Sequence, residues 1–301
     1  MLQQTQVVTV IPYFNRFMSE FPQVTDLANA PLERVLKLWA GLGYYSRARN
    51  LHRGAQAIAA RLKNGLGFPR NRQEWLEIPG VGEYTAGAIC SIALHQPEPI
   101  VDGNVVRVLS RLFAVETLDA KKTEIWSRSG ELVRTRGVEP ATLNQALMEL
   151  GAMICSPVNP RCAQCPVRGE CAGKNDPSKF PQKKPRKQWK IVKENRLVIL
   201  RHDHERGLEV LLTRNPEGAW RAGLWDFPER PDGAIGRSSL VAEFELRYVV
   251  TNHRVVRWHR VLGIRGEGGV RDPDSQWFLT GDLPGVPAPV KKALARINWP
   301  L

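Results

Sequence analysis

Apolar positions in the first half of the chain recur at helical spacing. Val7, Ile11, Phe14, Met18 and Phe21 follow one another at steps of four, three, four and three, which is the spacing of one helix face. Further amphipathic stretches predict helices over Leu32–Leu42, Ala48–Leu62, Tyr84–Leu94, Val105–Val115, Thr123–Arg134 and Leu143–Cys155. Turn segments rich in proline and glycine separate them. No strong strand alternation occurs before about residue 155, so this part is predicted to be mainly α-helical.

The pattern changes beyond residue 190. Short β-type runs appear in "RLVIL", "LEVLLTR", "WDFP", "RYVVTNHRVVRWHRVLGIRG" and "SQWFLT", and "PAPVKKALARINW" predicts a closing helix. Residues 173–190 are polar, basic and punctuated by proline, which is typical of a linker. We therefore expect a helical domain over residues 1–172, a basic linker over 173–190 and an α+β domain over 191–301.

Length and composition narrow the class of protein. The 301 residues suffice for two domains with cores of their own, and 43% of them are hydrophobic. No uninterrupted apolar run approaches about 20 residues, so no membrane span is expected. The N-terminus shows no basic region followed by an apolar stretch, which argues against a secretory signal. The expected location is the cytoplasm.

The chain is strongly basic. Its net charge is +13, and residues 161–200 alone hold 11 Lys or Arg against 3 Asp or Glu. Such an excess favours a polyanionic partner such as nucleic acid. A solvated basic linker would have the same composition, so charge alone leaves both interpretations open.

Four of the five cysteines form a cluster in sequence. Cys155, Cys162, Cys165 and Cys171 have the spacing C-x6-C-x2-C-x5-C, which in a cytosolic protein indicates metal ligands rather than disulfides. Four thiolates can hold zinc or a [4Fe–4S] cluster. Zinc sites usually use two C-x2-C knuckles and this segment has one, so the cluster is favoured. Cys90 lies in an apolar helical stretch and is predicted to serve packing.

Two short segments between predicted helices could bind a ligand or take part in catalysis. Pro79, Gly80, Val81 and Gly82 form a turn whose glycines would let the backbone approach a ligand such as a phosphate. Asp102, in "PIVDGNVVRVL", precedes a predicted helix. An aspartate at that position serves equally well as an ordinary helix cap. Taken separately, neither segment establishes a function.

Together these features resemble a known family. A helix-hairpin-helix with "PGVG", a following "VDGNVVRV" and the four-cysteine loop are similar to DNA glycosylases of the endonuclease III superfamily. "MLQQTQVVTVIPYF", "LWAGLGYYSRARNLH" and "NQALMELGAMIC" narrow the resemblance to the adenine DNA glycosylases of the MutY type. It implies a helical glycosylase domain with a [4Fe–4S] loop over residues 155–171 and a C-terminal Nudix-like domain. The implied reaction is removal of adenine mispaired with 8-oxoguanine or guanine in duplex DNA, by base flipping.

The resemblance also implies roles for single residues. In the family, the segment matching Gln3, Gln4 and Thr5 fills the gap left by the flipped base. Further DNA contacts fall on Tyr44, Tyr45, Arg47 and Arg49, with Pro79, Gly80, Val81 and Gly82 in the hairpin. Asp102 matches the aspartate that stabilises the cationic sugar in the transition state, and Asn104 a residue that positions it. Tyr84 occupies the place of a lysine in bifunctional relatives, so base removal without strand cleavage is expected.

The C-terminal part resembles the module that reads 8-oxoguanine. "GLWDFPE" matches its signature, and "VTNHRVVRWH" stands where the family has a Phe-Ser-His loop. His253 is the expected contact, with Asn252 in place of the serine and His259 as a competitor. The acidic hydrolase box of true Nudix enzymes is absent, so recognition rather than hydrolysis is expected.

One element of the family site has no counterpart in this sequence. The general acid that protonates the leaving adenine is a glutamate two residues before the position of Met1. Either Met1 is an internal methionine and the protein has an upstream segment, or the chain binds mispairs without excising adenine. A related glycosylase for oxidised pyrimidines or G:T mismatches is the third hypothesis. A monomer on DNA is expected, without membrane association.

Overall fold

The computed structural model describes residues 1–3, 5–116, 124–182, 188–203, 205–216, 218–219, 221–229, 238–250, 252–264 and 274–297. They fall into two compact units. The terminal unit comprises residues 1–56 and 187–301, and the central unit comprises residues 57–186. The boundaries at residues 172 and 190 that the sequence suggests stay predictions.

The helices of the terminal unit begin close to Met1. They are α1 (Val7–Glu20), α2 (Val24–Asn29), α3 (Leu32–Trp39) and the first part of α4 (Tyr45–Lys63). The predicted α1 is confirmed, but its apolar stripe is not its buried face: Val7, Ile11, Phe14 and Met18 are all exposed. Val10 and Phe17 are buried instead, and Phe17 packs edge-on against Trp39 with ring centroids 6.2 Å apart.

The described residues of the central unit form helices and turns, and no strand occurs among them. After the end of α4 it contains α5 (Arg72–Leu76), α6 (Glu83–Ala88), a π-helical turn (Ile89–Ala93), α7 (Gly103–Leu112), α8 (Glu124–Val133) and α9 (Pro140–Met153). Single 3₁₀ turns follow at Cys162–Gln164 and Pro177–Lys179. The helices α7, α8 and α9 share an apolar core that includes Val105, Leu109, Ile125 and Leu147. Cys90 is fully buried, as its apolar surroundings predict.

A mixed six-stranded sheet forms the remainder of the terminal unit. Its strands are β1 (Lys190–Asp203), β2 (Gly207–Arg214), β3 (Trp225–Asp226), β4 (Ser238–Val250), β5 (His253–Ile264) and β6 (Ser275–Leu279). The order is β3-β2-β1-β5-β4, with β6 also paired to β2. The strands β1 and β5 run parallel, and the other pairs are antiparallel. Helix α10 (Ala288–Leu294) packs on one face, where Val290 and Ala293 join the buried core.

Side chains of α3 and α4 meet the sheet within the terminal unit. The indole nitrogen of Trp225 donates to Glu33 over 3.1 Å, and Lys37 pairs with Asp282 at 2.6 Å. The hydroxyl of Tyr45 donates to the carbonyl of Val286 over 3.0 Å. The first helices and the last strands of the chain are therefore packed together, although nearly 200 residues separate Glu33 from Trp225. Within the described part of the chain, no helix is both long and apolar enough to span a membrane.

Candidate active site

The side chain of Asp102 caps the first turn of α7. One carboxylate oxygen, Oδ1, accepts the backbone N–H of Val105 over 2.7 Å, as expected of an N-cap aspartate. The other oxygen, Oδ2, accepts the side-chain N–H of Asn104 over 3.1 Å. Two donors thus fix the carboxylate plane, and Asp102 itself stays partly exposed. A negative charge with a fixed orientation at a solvent-accessible helix end is suited to stabilising a nearby cation.

A second layer of contacts fixes Asn104. Arg107 donates to the Asn104 amide oxygen over 2.9 Å, and to the carbonyl of Gly151 on α9 over 2.6 Å. Its Nε donates to the carbonyl of Cys155 over 2.7 Å. Burial lowers the pKa of Arg107 from its usual high range. A continuous chain of hydrogen bonds therefore runs from the cysteine loop through Arg107 and Asn104 to Asp102.

Sequence reasoning missed Arg107. The only available signal was its spacing, because residues three apart on a helix lie on the same side, as Asn104 and Arg107 do here. The partners that give Arg107 its role, Gly151 and Cys155, lie more than 40 positions away along the chain.

Gly151 allows α9 to approach α7 closely at this point. A Cβ atom at residue 151 would lie 2.6 Å from the Cβ of Asn104 and 3.1 Å from its backbone. We expect Gly151→Ala to displace Asn104 and to loosen Asp102; under the glycosylase activity that the sequence resemblance implies, the rate of base release should fall by about tenfold or more. Single-turnover kinetics on a mispaired duplex measure this effect. Gly281→Ala is the control, because nothing lies within 4 Å of a Cβ there. Equal rates for Gly151→Ala and the unmodified protein would contradict the prediction.

Tyr84, on α6, lies close enough to Asp102 for the carboxylate charge to affect its phenol. Burial raises the pKa of the Tyr84 phenol, and the negative charge of Asp102 raises it further. Its hydroxyl points to the sulfur of Met148 at 3.7 Å. Tyr84 is therefore a neutral phenol at neutral pH. Its side chain has no amine that could form a Schiff base with a sugar.

The predicted hairpin joins α5 to α6. Gly80 has φ of 84°, a conformation that side chains other than glycine rarely adopt, and the N–H of Val81 bonds back to Ile78 over 3.0 Å. A Cβ atom added to Gly82 would have no neighbouring atom within 4 Å. Arg72 holds the hairpin in place: it pairs with Glu83 and with Glu98 and lies over the Trp126 ring at 5.2 Å. Pro79 to Gly82 thus form a fixed and accessible backbone turn.

The four predicted ligand cysteines converge in the central unit. Cys155, Cys162, Cys165 and Cys171 line one shared cavity that is open to solvent. Burial raises the pKa of Cys171, and the other three thiols raise it further, so all four lie within electrostatic range of one another. Among the described residues, no group of side chains has the close geometry of a single-ion site. Four thiols that share one cavity are the donor set that the predicted [4Fe–4S] cluster would need.

Arg111 connects α7 to this loop. It is buried and donates to the sulfur of Cys155 over 3.2 Å and to the carbonyl of Ser156 over 2.8 Å. Its Nε reaches the carbonyls of Pro177 and Phe180 at 3.0 and 3.1 Å. Arg107 and Arg111, four residues apart on α7, thus both contact the cysteine loop.

The predicted DNA-contacting residues of the first helices lie in the terminal unit. Gln3 and Thr5 are in the described part of the chain, whereas Gln4 falls outside it. The guanidinium of Arg47 is hydrogen-bonded to the segment that contains them. The hydroxyl of Tyr45 is committed to Val286, and Arg49 donates to the carbonyl of Ala222 over 2.6 Å. The DNA contacts of these residues stay predictions.

The predicted recognition residues Asn252 and His253 lie where the turn after β4 leads into β5. The carbonyl of Asn252 accepts the N–H of Lys190 over 2.9 Å, and His253 opens β5 opposite Val250. Both side chains are half-buried. His259 lies deeper in β5, with 1% of its surface exposed, stacked on Phe244 with ring centroids 4.8 Å apart. This burial leaves His253, rather than His259, at the accessible end of the strand.

The burial of His259 predicts a pH dependence of stability. Burial and the charge of Arg257 lower the pKa of His259 to about 4. Since the unfolded chain binds this proton near pH 6.5, the native state loses stability as the pH falls from about 6.5 to about 4, by up to about 3 kcal/mol. We expect His259→Phe, which keeps an aromatic ring, to abolish this dependence of the free energy of unfolding on pH between about 6.5 and 4. Chemical unfolding at several pH values tests this, and an unchanged slope would contradict it.

A buried ionic network supports the same sheet. Arg257 is fully buried and binds both carboxylate oxygens of Asp226, at 2.8 and 2.9 Å. Its Nε donates to Glu194 over 2.5 Å, while Arg221 donates to Asp226 and to the hydroxyl of Tyr248. Burial alone would raise the pKa of Asp226, but the nearby arginines outweigh it, so this pKa lies below its usual range. The charges are satisfied internally, which indicates structural support for the "GLWDFPE" segment rather than a ligand site.

The chain is similar to known DNA repair proteins. Residues 1–131 match the model of the HhH-GPD superfamily of base excision DNA repair proteins. The structure is similar to that of a thermostable thymine-DNA glycosylase, with a TM-score of 0.53, 28% identity and coverage of 58% of this chain and 80% of that one. The helical part of the chain therefore has the fold of the HhH-GPD glycosylases.

The particular relatives are adenine DNA glycosylases. The human enzyme is 35% identical over 300 residues, which cover 81% of this chain and 53% of that protein. The enzyme of Buchnera aphidicola subsp. Baizongia pistaciae is 40% identical over 171 residues, covering 57% of this chain and 48% of that protein. These matches confirm the resemblance that the sequence motifs indicated. The chain spans about half the length of these two relatives.

Proposed function

We propose that this protein is an adenine DNA glycosylase of base excision repair. It flips adenine mispaired with 8-oxoguanine or guanine out of duplex DNA and hydrolyses its N-glycosidic bond. The observation that carries the proposal is the fixed Asp102 carboxylate, held by Val105 and Asn104 and supported by Arg107. The similarity to adenine DNA glycosylases supports the choice of base.

The residues of the central unit have defined parts in this reaction. Asp102 stabilises the positive charge that develops on the sugar as the base leaves, an effect confined to the transition state. Asn104 and Arg107 hold its orientation. Tyr84 lacks the amine that Schiff-base chemistry needs, so the product is an abasic site in an intact strand. The hairpin Pro79–Gly82 offers backbone groups to phosphates, independent of base sequence.

Cys155, Cys162, Cys165 and Cys171 fit a [4Fe–4S] cluster and would hold it. The cluster, when bound, supplies a rigid centre around which the loop folds. The loop itself presents basic side chains, Arg161, Arg168 and Lys174, which suit contacts with phosphates. Arg111 orders the loop from the side of α7.

In the terminal unit, the sheet would act as a Nudix-like reader of 8-oxoguanine through Asn252 and His253. The accessible position of these residues at the start of β5 supports this assignment. Gln3, Gln4 and Thr5 would fill the space that the flipped adenine leaves.

The test is base release under single-turnover conditions. Duplexes with 8-oxoguanine:A, G:A, G:T and an oxidised pyrimidine are incubated with the protein, and abasic sites are revealed by alkali. Two forms are compared: the 301-residue chain, and a form that begins further upstream in the same reading frame. We expect adenine release without strand cleavage before alkali. Release by the longer form alone would locate the proton donor upstream of Met1.

Other outcomes separate the alternatives. Tight binding to the mispairs by both forms without any released base would favour a non-catalytic mispair-binding protein. Preferential release of thymine or of an oxidised pyrimidine would favour the related glycosylase. Either result would overturn the proposed function.

A further inference from the structure

The guanidinium of Arg47 lies at the centre of a cluster of backbone oxygens. Its Nη1 donates to the carbonyl of Met1 over 2.8 Å and to the carbonyl of Gln3. Its Nη2 donates to the hydroxyl of Thr5 over 3.2 Å. One side chain thus contacts the first, third and fifth residues of the chain.

The same guanidinium also binds the turn between α3 and α4. Its Nη2 reaches the carbonyls of Leu42 and Gly43 at 3.5 and 3.3 Å. Its planar group lies over two aromatic rings, those of Tyr44 and Trp39, at 5.2 and 5.6 Å from their centroids. Arg47 therefore connects the N-terminal segment to a rigid part of the terminal unit.

These partners are all neutral. No carboxylate in the described part of the chain forms an ion pair with Arg47, and burial lowers its pKa from the usual high range. A surface arginine that serves mainly to contact phosphate keeps its donors free in water. The two Nη groups of Arg47 are instead shared among backbone and hydroxyl oxygens. A planar fork of donors can bridge several oxygens at once, which a lysine ammonium does much less well.

We propose that Arg47 is a positioning residue that holds the backbone of residues 1–5 against the turn Leu42–Tyr44. The segment it holds contains Gln3, Gln4 and Thr5, which under the proposed function enter the space of the flipped base. This inference rests on that function for its consequence in DNA, but not for the contact itself. Fixing the segment before DNA binds reduces the ordering cost of insertion.

The contact is tested first without DNA. Hydrogen exchange of peptides from residues 1–17 is measured in the unmodified protein and in the variants Arg47→Ala and Arg47→Lys. We expect exchange at the first residues to become about tenfold faster in both variants, because the multidentate contact is lost. Arg53→Ala is the matched control: Arg53 is exposed on the same helix, and its side chain donates to the side chain of Asn50 over 2.6 Å. Equal exchange in all four proteins would overturn the proposal.

The consequence is tested with DNA that carries 2-aminopurine opposite 8-oxoguanine. Flipping of 2-aminopurine is read from its fluorescence, and affinity from anisotropy at several salt concentrations. We expect Arg47→Ala and Arg47→Lys to lower the flipping equilibrium about tenfold, with a salt slope like that of the unmodified protein. Loss of a direct phosphate contact would instead reduce the salt slope by about 1 and spare Arg47→Lys. That pattern would replace positioning by a phosphate contact.

A milder variant guards against misfolding. Thr5→Val removes one acceptor of Arg47 with little change in shape, so it should shift flipping in the same direction by a smaller factor. If the unmodified protein binds no mispaired DNA, the proposed function fails, while the exchange result still decides whether Arg47 holds the segment. If Thr5→Val and both Arg47 variants flip the base normally, the positioning role is wrong.

Discussion

Replacing Asp102 by asparagine is expected to lower the rate of adenine release by about 10²- to 10³-fold, because a neutral amide cannot stabilise a cationic sugar. The change is nearly isosteric. Asparagine is also a good N-cap, so its side-chain oxygen can still accept the N–H of Val105. DNA binding and thermal stability should therefore change little. Under the proposed function, single-turnover release of adenine from a mispaired duplex measures the effect.

The matched control for this variant is Glu139→Gln. Glu139 caps α9 in the same unit, and its carboxylate accepts the N–H groups of Ala141 and Thr142. The substitution removes one negative charge from a helix cap, as Asp102→Asn does, but leaves Asp102 intact. A general loss of cap charge would slow both variants alike, whereas a specific role slows only Asp102→Asn. Equal release by Asp102→Asn and the unmodified protein would remove Asp102 from the reaction.

Replacing Arg111 by methionine is expected to lower the free energy of unfolding by about 4 kcal/mol, since a buried guanidinium is removed and four partly buried acceptors lose their donor at once. The acceptors are the sulfur of Cys155 and the carbonyls of Ser156, Pro177 and Phe180. Under the proposed cluster, the cysteine loop should also lose iron more readily. Chemical unfolding and, for the proposed cluster, visible absorbance are the two measurements.

Arg128→Met provides the control on a neighbouring helix. Arg128 is exposed on α8 and pairs with Glu124 at 2.9 Å and with Glu131 at 3.6 Å. Exposed pairs of this kind contribute about 0–1 kcal/mol, so this variant should unfold almost like the unmodified protein. If Arg111→Met were as stable as Arg128→Met and kept its iron equally well, the proposed support of the loop would be wrong.

The candidate site was partly visible in the sequence because some of its signals are local. Asp102 precedes Gly103 and an apolar periodic run, which places it at a helix start, and the structure confirms that it caps α7. The spacing of the four cysteines brought them together as expected, around one cavity. A turn with two glycines predicted the hairpin, and Gly80 adopts the positive φ that a glycine permits.

Other interpretations required contacts between distant parts of the chain. Nothing local in the sequence distinguishes Arg107 and Arg111, whose partners on α9 and in the cysteine loop lie far along the chain. The DNA contact of Arg47 stays a prediction, and the structure adds that its Nη groups bind the N-terminal segment and the turn before α4. His253 and His259 occupy the same stretch of sequence, and only the packing of the sheet buries the second of them.

The amino-acid sequence by itself indicated the helical first part of the chain, the start of α7 at Asp102 and the four cysteines that share one cavity. Helical period, capping and ligand spacing act over a few residues, so they can be read along the chain. The tertiary structure alone decided which apolar face of α1 is buried, which arginines are structural and which histidine is accessible. Those outcomes depend on surfaces brought together from positions far apart, where burial fixes both the charge and the partners of each side chain.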